Sequence, residues 1–424
     1  MSVRVSELAN GLRVVSDVME TVESISLGAW VAVGARDEPA KLNGISHLLE
    51  HMAFKGTERR DALAIAAEIE AVGGQLNAYT ARESTAYFAK ILKADLALAV
   101  DIIADILQHS VMDAGELARE QDVIVQEINQ SNDTPDDIIF DCFQAIAFPD
   151  QAIGRPVLGS APLIRAMDSR RLLDYMRGHY SAPNIVFAAA GRLDHDRLVE
   201  LAAAAFDSLP APIGSPRQPA RYVGGYFQES RDLEQAHLLM GMHGVAYDDK
   251  DFYATTVFST LLGGGMSSRL FQEVREKRGL VYSIYSYTSA YVDGGLFGIY
   301  AGTGEKQVSE VVPLVFDEIA KLAKGAPADE IARARAQVKA AILMSLESTS
   351  SRCEQLARQM IVFKRPLAVD EIVAQVEAVD GTAIARVAMR LMESRPTLAG
   401  IGPGSGMQGL ERAAKRLRSG EASN

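Results

Sequence analysis

His47-Leu48-Leu49-Glu50-His51 is the stretch on which the interpretation of this chain depends. In a helix, residues four apart lie nearly above one another, so the imidazoles of His47 and His51 can reach one metal ion. Two neutral imidazoles suit zinc, which in catalytic sites takes three protein ligands and keeps one position for water. Glu50 lies on the same helical face, where a carboxylate can take a proton from that water. The motif therefore predicts a catalytic type of zinc site, with Ser46 as a candidate N-cap of the helix.

A helix that carries two histidines by chance is the competing interpretation. The chain has only seven histidines, so finding two of them around a glutamate at this spacing favours the metal site.

A third metal ligand has to come from another segment. The predicted helix Ala114–Asn129 carries Glu116, Glu120 and Glu127 beside an apolar stripe. Glu120 and Glu127 are two turns apart and share a face of that helix. Each glutamate could also be an ordinary surface residue, so the residues alone leave the choice among the three open.

The motif and the glutamate pair together resemble the pitrilysin/insulysin family of zinc peptidases, which carry the inverted motif H-x-x-E-H. Further matching stretches run over 47–57, 76–80 and 263–282. They are similar to the β subunit of the mitochondrial processing peptidase and to its small bacterial relatives. The resemblance implies two duplicated α+β domains that enclose a chamber, and one Zn2+ ion per chain. It also implies that Glu127 is the third ligand.

The resemblance assigns roles to three residues outside the motif. It implies that Glu120 orients a ligand from behind and is important for activity. It implies that Arg275 and Tyr282 contact the substrate backbone and stabilise the oxyanion, which suits a cation and a phenol. Arg278 is a competitor for the role of Arg275. Without the resemblance, the two residues could equally be a surface arginine and a core tyrosine.

Residues 75–80 follow a double glycine and are predicted to form a strand. The resemblance implies that this strand is an exposed sheet edge, to which a peptide is added as a further strand at Asn77 and Ala78. It also implies that Phe54 lines the pocket just after the scissile bond. An interior strand and a core phenylalanine are the alternatives.

An acidic cluster follows the helix that carries Glu127. Within it, Asp137 and Asp141 match positions that the resemblance assigns to recognition of basic substrate residues. Carboxylates can pair with arginine side chains, so cleavage is expected near an arginine. A solvated loop with N-caps is the alternative.

A proline-rich segment divides the chain near its middle. Residues 209–219 include four prolines, which cannot continue a helix or a central strand. We therefore predict an N-terminal zinc-binding domain at 1–209, a linker at 210–220 and a homologous C-terminal domain at 221–424. The order of predicted elements repeats in the two halves. Each half is predicted to be an α+β domain, a mostly antiparallel sheet with helices packed on one face.

The predicted elements follow the hydrophobic periodicity. The strands are Leu12–Val18, Ser24–Val33, Gln75–Thr80, Thr85–Ile91, Gln235–Met242, Val281–Thr288 and Gly295–Ala301. The helices are Ile45–Phe54, Ala62–Val72, Lys93–Gln108, Ala114–Asn129, Asp251–Leu262, Ser268–Lys277, Glu305–Leu322 and Ala328–Glu347.

Length, charge and cysteine content limit the class of protein. A chain of 424 residues exceeds the size at which one core stops growing, so two or more domains are expected. The net charge of −12 argues against a nucleic-acid partner. Two cysteines exclude a disulfide framework and favour a reducing compartment. Neither a secretory signal nor an apolar run of membrane-spanning length is visible, so we expect a cytoplasmic protein that does not bind membranes.

These observations together predict a zinc-dependent endopeptidase that acts on unfolded peptides or presequence-like segments. Metal-bound water is the expected nucleophile, and Glu50 is the expected general base. The alternative is a non-catalytic core or partner subunit of a larger assembly, although such proteins usually lose the ligands. Small relatives of this length often pair two chains, so the resemblance also implies a homodimer.

Overall fold

The computed structural model describes residues 3–211 and 217–419, which form two compact units. Unit 1 comprises Met1–Gln130, Arg155–Gln218 and Leu343–Pro366, and unit 2 comprises Ser131–Gly154, Pro219–Ile342 and Leu367–Asn424. Each unit combines a sheet with helices, so the predicted α+β class is confirmed. Residues 212–216 of the predicted linker lie outside the described residues. Among the residues that are described, no helix is long and apolar enough to cross a bilayer.

The sheet of unit 1 has six strands. They are β1 (Val3–Glu7), β2 (Arg13–Val18), β3 (Ser24–Val31), β4 (Gln75–Thr80), β5 (Thr85–Leu92) and β6 (Ile185–Gly191). The order across the sheet is β1-β2-β6-β3-β5-β4. Only β2 and β6 are parallel neighbours, and all other pairs are antiparallel. β4 therefore forms one edge of the sheet.

The sheet of unit 2 repeats this arrangement. Its strands are β7 (Gly225–Ser230), β8 (Ala236–His243), β9 (Val281–Ala290), β10 (Gly295–Thr303) and β11 (Thr397–Gly402). The order is β7-β11-β8-β10-β9, again with one parallel pair, β7 with β11. It corresponds strand for strand to unit 1 without β1, and β9 is the edge strand equivalent to β4. The predicted duplication is therefore confirmed.

Fifteen α-helices are found in the described part of the chain. In the first half they are α1 (Ile45–Ala53), α2 (Ala62–Ala71), α3 (Leu96–Gln108), α4 (Ala114–Asp133), α5 (Pro135–Ala147), α6 (Ala161–Arg165), α7 (Ser169–His179) and α8 (His195–Ala205). In the second half they are α9 (Phe252–Gly263), α10 (Val308–Ala323), α11 (Ala328–Ser345), α12 (Thr349–Val362), α13 (Val369–Glu377), α14 (Gly381–Glu393) and α15 (Gly404–Ser419). The predicted helix Ser268–Lys277 is a shorter π-helical segment, Phe271–Glu276, whose wider turn is closed by a bond from Lys277 N to Gln272 O.

Helices cover one face of each sheet, as predicted, and one further helix covers the other face. In unit 1 the two faces are distinguished by neighbours such as Val14 and Val15, which are both fully buried but belong to different clusters. Successive strand residues point to opposite faces, so a sheet with apolar residues on both needs two covering layers.

The further helix in each unit comes from the other half of the chain. α12 packs on β2, β3 and β6 of unit 1, with Leu356 in the same cluster as Trp30. α5 packs on β7, β8 and β11 of unit 2, with Phe143 in the same cluster as Leu239. The compact units therefore differ from the predicted linear domains 1–209 and 221–424, because each half gives a helical segment to the other unit.

Candidate metal centre

Helix α1 has a glycine, Gly44, at its N-cap, and a buried carboxylate accepts hydrogen bonds from its N-terminal amides. Gly44 has a φ of +97°, and a Cβ there would meet Ile164 Cδ1 at 2.7 Å and Leu158 O at 2.9 Å. The two oxygens of Glu38 accept hydrogen bonds of 2.8 Å from the amides of Gly44 and Ser46. These bonds satisfy donors that the helix leaves unpaired. Ser46 lies inside the helix, so the predicted N-cap is wrong, and the role of Glu38 was not predicted.

An apolar stripe orients α1. Its fully buried members, three or four positions apart, are Ile45, Leu48, Leu49 and Met52. The half-buried residues His47, Glu50 and His51 occupy the remaining face. Burial of the stripe therefore presents the three polar groups of the motif together.

The buried face of α4 distinguishes its three glutamates. Leu117, Glu120 and Ile124 are its buried residues, and Glu127 continues the same spacing one turn further on. Glu116 instead pairs with the exposed Arg119 on the same helix. Glu127 therefore faces α1.

The structure brings His47, His51 and Glu127 together. Nε2 of His47 and Nε2 of His51 each lie 3.8 Å from Oε2 of Glu127. One donor atom from each residue lies within 4.8 Å of the other two, the only such group of three found among the described residues. Tetrahedral ligands about 2.1 Å from an ion lie about 3.4 Å apart, so small side-chain movements would let all three bind one ion. Two imidazoles and one carboxylate are a donor set typical of catalytic zinc.

The charge state of the first histidine suits a metal ligand. Burial, and secondarily the neighbouring His51, lowers the pKa of His47 to about 4. The imidazole is therefore neutral at physiological pH, which is the form that binds a metal.

A chain of contacts supports the second histidine from behind. Nδ1 of His51 lies 2.9 Å from Oε2 of the buried Glu120, and Oε1 of Glu120 lies 2.7 Å from Nζ of Lys55. Burial of Glu120 tends to raise the pKa of its carboxyl, but the contacts with Lys55 and His51 outweigh burial, and the pKa is lowered. Glu120 is thus a carboxylate behind a metal-ligand candidate, and the contact with Lys55 was not predicted.

Glu50 lies beside the three candidate ligands and is held by the edge strand. Thr80, the last residue of β4, donates a hydrogen bond of 2.6 Å from Oγ1 to Oε2 of Glu50. Burial raises the pKa of the Glu50 carboxyl, an effect that the bond from Thr80 opposes. The backbone of Thr80 also donates a hydrogen bond to this carboxylate. A half-buried carboxylate with a raised pKa can accept a proton.

The free edge of β4 carries an amide that is bonded to a side chain of its own strand, and a cavity adjoins the edge. The amide of Ala78 donates to Oδ1 of Asn77 at 2.8 Å, within its own strand. A cavity of about 290 Å³ opens next to the strand. Its lining residues include Phe54, Ile65, Ile69 and Leu76. Glu70 and Gln75 also line it, so a peptide added to this edge would have beside it a cavity with both apolar and polar lining.

The structure places Arg275 and Tyr282 in unit 2. Tyr282 is 77% exposed on the edge strand β9, so it is not a core tyrosine. The guanidinium of Arg275 lies 4.7 Å from the ring centroid of Phe271 and makes no ion pair with a described residue. Arg278, the competitor, pairs with Glu273 at 3.0 Å. Of the two arginines, Arg275 is the one whose charge is not already neutralised by a carboxylate.

Asp137 and Asp141 also belong to unit 2 and lie on α5, not in a loop. Asp137 is in the first turn, where the helix dipole favours a negative charge, and accepts a hydrogen bond of 2.6 Å from Ser131 Oγ. Asp137 therefore has a local structural contact at the start of α5, where the N-cap is Thr134.

Two family assignments cover most of the chain. Residues 13–161 match the family described as Insulinase (Peptidase family M16), and residues 166–338 match the family described as Peptidase M16 inactive domain. The chain belongs to peptidase family M16. The first match contains the motif helix and Glu127, and the second contains Arg275 and Tyr282.

Relatives of this M16 chain extend over nearly its whole length. An uncharacterized zinc protease of Streptomyces coelicolor is 41% identical over 412 residues, covering 95% of this chain and 90% of that protein. An uncharacterized zinc protease of Rickettsia bellii is 38% identical over 400 residues, covering 94% and 97%. The uncharacterized zinc protease YmxG of Bacillus subtilis is 34% identical over 400 residues, covering 94% and 98%. Membership of M16 and these names support a peptidase.

Two solved structures share the M16 fold. A peptidase M16 inactive domain from Pseudomonas fluorescens superposes with a TM-score of 0.89 at 21% identity, covering 95% of this chain and 98% of that one. A protease from Helicobacter pylori superposes with a TM-score of 0.87 at 23% identity, covering 95% and 99%. At these identities the likeness concerns the fold alone.

Proposed function

We propose that this chain is a zinc-dependent endopeptidase whose metal is held by His47, His51 and Glu127. The observation that carries the proposal is the convergence of these side chains, with the carboxylate of Glu50 beside them. The relatives are named zinc proteases, which supports zinc as the metal.

Residues of the chain itself would carry out the proton transfers. When bound, zinc supplies Lewis-acid activation of a water molecule and of the peptide carbonyl. Glu50 accepts the proton of the attacking water and later gives it to the leaving amine. Thr80 keeps Oε2 occupied during both transfers, and Glu120 holds the ring of His51.

The substrates we propose are peptides in an extended conformation, such as unfolded or presequence-like segments. The free edge of β4 can pair with such a peptide through backbone bonds at Asn77 and Ala78. The cavity beside Phe54 suits an apolar side chain next to the cleaved bond. Most strands of a folded protein are already paired with neighbouring strands, which favours unfolded substrates.

The remaining site assignments stay predictions that accompany this proposal. Arg275 and Tyr282 are proposed to contact the substrate and the oxyanion, and their exposure in unit 2 is compatible with that role. Asp137 and Asp141 are proposed to recognise a basic residue near the cut. A homodimer, a cytoplasmic location and one zinc ion per chain are likewise predictions.

Metal analysis combined with cleavage of quenched fluorogenic peptides tests the proposed function. Wild type should contain zinc and cleave, whereas Glu50→Gln should keep the metal and lose at least about a hundredfold in kcat, because the base is removed. A wild-type protein that binds zinc but cleaves no member of a peptide library would favour the non-catalytic alternative. Glu50→Gln activity equal to wild type would remove the assigned base.

A further inference from the structure

Lys55 lies just after the motif helix and contacts the carboxylate behind the metal centre. Its Nζ is 2.7 Å from Oε1 of Glu120, and the side chains of Lys55 and Glu120 are 31% and 8% exposed. The other oxygen of Glu120 is 2.9 Å from Nδ1 of His51. Both oxygens of a nearly buried carboxylate are therefore occupied, one by an ammonium group and one by a ligand candidate.

This arrangement determines which nitrogen of His51 faces the metal centre. A neutral imidazole carries one proton, and a carboxylate beside Nδ1 favours the form with the proton on Nδ1. The lone pair is then on Nε2, the atom that lies 3.8 Å from Oε2 of Glu127. The orientation of Glu120 therefore controls the orientation of the imidazole.

Lys55 is the group that limits rotation of the Glu120 carboxylate. Without the ammonium, Oε1 would be buried next to no charged partner, which is costly for a carboxylate. The side chain would gain by turning toward solvent or toward the exposed Arg119, and either movement would weaken the contact with His51.

We propose that Lys55 is a positioning residue of the metal centre, which acts through Glu120 to hold His51 in its metal-binding orientation. This inference rests on the metal site of the proposed function, but it does not require peptide cleavage. Loss of a partner behind a metal ligand typically weakens metal binding by about 10- to 100-fold. We therefore expect Lys55→Met to weaken zinc binding about tenfold.

A second effect of the same substitution has the opposite sign. The ammonium repels a dication through space, so its removal alone would strengthen zinc binding. That repulsion is nearly the same whether residue 120 is Glu or Gln, whereas positioning requires the carboxylate. A double-mutant cycle therefore separates the two effects.

The experiment is zinc affinity, measured by competition with a chromogenic chelator at fixed pH and salt. The proteins are full-length wild type, Lys55→Met, Glu120→Gln and the double variant. Lys55→Met should weaken binding about tenfold in the wild-type background and cause no further loss in the Glu120→Gln background. Equal losses in both backgrounds, or no loss in either, would overturn the proposal.

Two controls complete the design. Lys93→Met removes the same charge from an exposed ion pair of 2.6 Å, with Glu23, elsewhere in unit 1, and should keep wild-type affinity. If Lys93→Met lost as much zinc affinity as Lys55→Met, the loss would reflect the overall charge of the protein. That result would overturn the proposal. Lys55→Leu replaces Lys55→Met if thermal unfolding without zinc shows that the methionine variant is not folded.

The outcomes also distinguish this inference from the proposed function. A wild-type protein that binds zinc and cleaves no peptide would remove the proposed function and leave the affinity cycle valid. A wild-type protein that takes up no zinc would overturn both.

Discussion

The hydroxyl of Thr80 donates a hydrogen bond of 2.6 Å to Oε2 of Glu50. Thr80 ends the edge strand β4, and Glu50 lies on the motif helix α1, so this bond connects the proposed peptide-binding edge to the proposed base. Thr80, which the sequence pattern did not single out, thereby acquires a proposed role in holding the base.

We expect Thr80→Val to lower kcat about ten- to hundredfold with little change in zinc content. The reason is the loss of a hydrogen bond to a charged group, which contributes about 1.5–3 kcal/mol. Thr80→Ser keeps the hydroxyl and should stay within a few-fold of wild type. Steady-state kinetics on one fluorogenic peptide measure both variants, and equal rates for the two would show that the bond has no catalytic role.

The raised pKa of Glu50 predicts the pH dependence of cleavage. A general base acts only when it is deprotonated, so kcat/KM should fall as the pH drops through this raised pKa. The acidic limb should therefore have its midpoint above the ordinary glutamate value of about 4.3. Thr80→Val removes a bond that lowers this pKa, so its limb should move to higher pH. A midpoint at or below the ordinary value in both proteins would contradict the assignment.

Helix α12 comes from the second half of the chain but packs in unit 1. A shortened side chain on α12 should therefore destabilise unit 1. Leu356→Ala removes a buried side chain of α12 that packs in the same cluster as Trp30, and should destabilise unit 1 by about 2–5 kcal/mol. Leu343→Ala, at a position 41% exposed, should change stability by less than about 0.5 kcal/mol. Trp30 is the only tryptophan, so its fluorescence during urea unfolding follows unit 1. Equal unfolding midpoints for the two variants would argue against the exchanged packing.

The acidic pair on α5 predicts a preference for arginine near the cut. Asp137→Asn combined with Asp141→Asn should reduce that preference about tenfold in a peptide library, because a charge-assisted contact is lost. Asp133→Asn combined with Asp136→Asn removes the same charge from the neighbouring positions and should leave the preference intact. A similar loss in both double variants would assign the effect to overall charge.

The local sequence pattern was sufficient to predict the strand and the helix that carry the site residues. The strand Gln75–Thr80 was predicted with its observed bounds, and the motif helix ends one residue before the prediction, at Ala53. In both segments the sequence signal is strong, a double glycine before the strand and an apolar stripe with three- and four-residue spacing in the helix. The positions of His47, Glu50 and His51, which depend only on one face of this helix, could therefore be predicted.

The spacing of residues on α4 does not select the third ligand. Glu116, Glu120, Ile124 and Glu127 follow a three- and four-residue spacing as well as Leu117, Glu120, Ile124 and Glu127 do. Only the structure separates the glutamates, because Glu120 is buried and Glu116 pairs with Arg119.

Packing between segments that are distant in the sequence could not be predicted in the same way. Strand β6 was missed because its seven residues are all buried, which removes the alternation that marks a half-buried strand. The capping of α1 by Glu38 and the support of Glu120 by Lys55 involve single contacts that leave no periodic signal. The exchange of α5 and α12 depends on which sheet face remains uncovered, a property of the assembled fold.

The most direct test of the metal centre is zinc stoichiometry after removal of a single carboxylate from α4. Wild type and Glu116→Ala should each retain about one zinc per chain after dialysis, whereas Glu127→Ala should retain less than about one-tenth, because one of three protein ligands is lost. A full equivalent of zinc in Glu127→Ala, or none in wild type after zinc is supplied, would contradict the site formed by His47, His51 and Glu127.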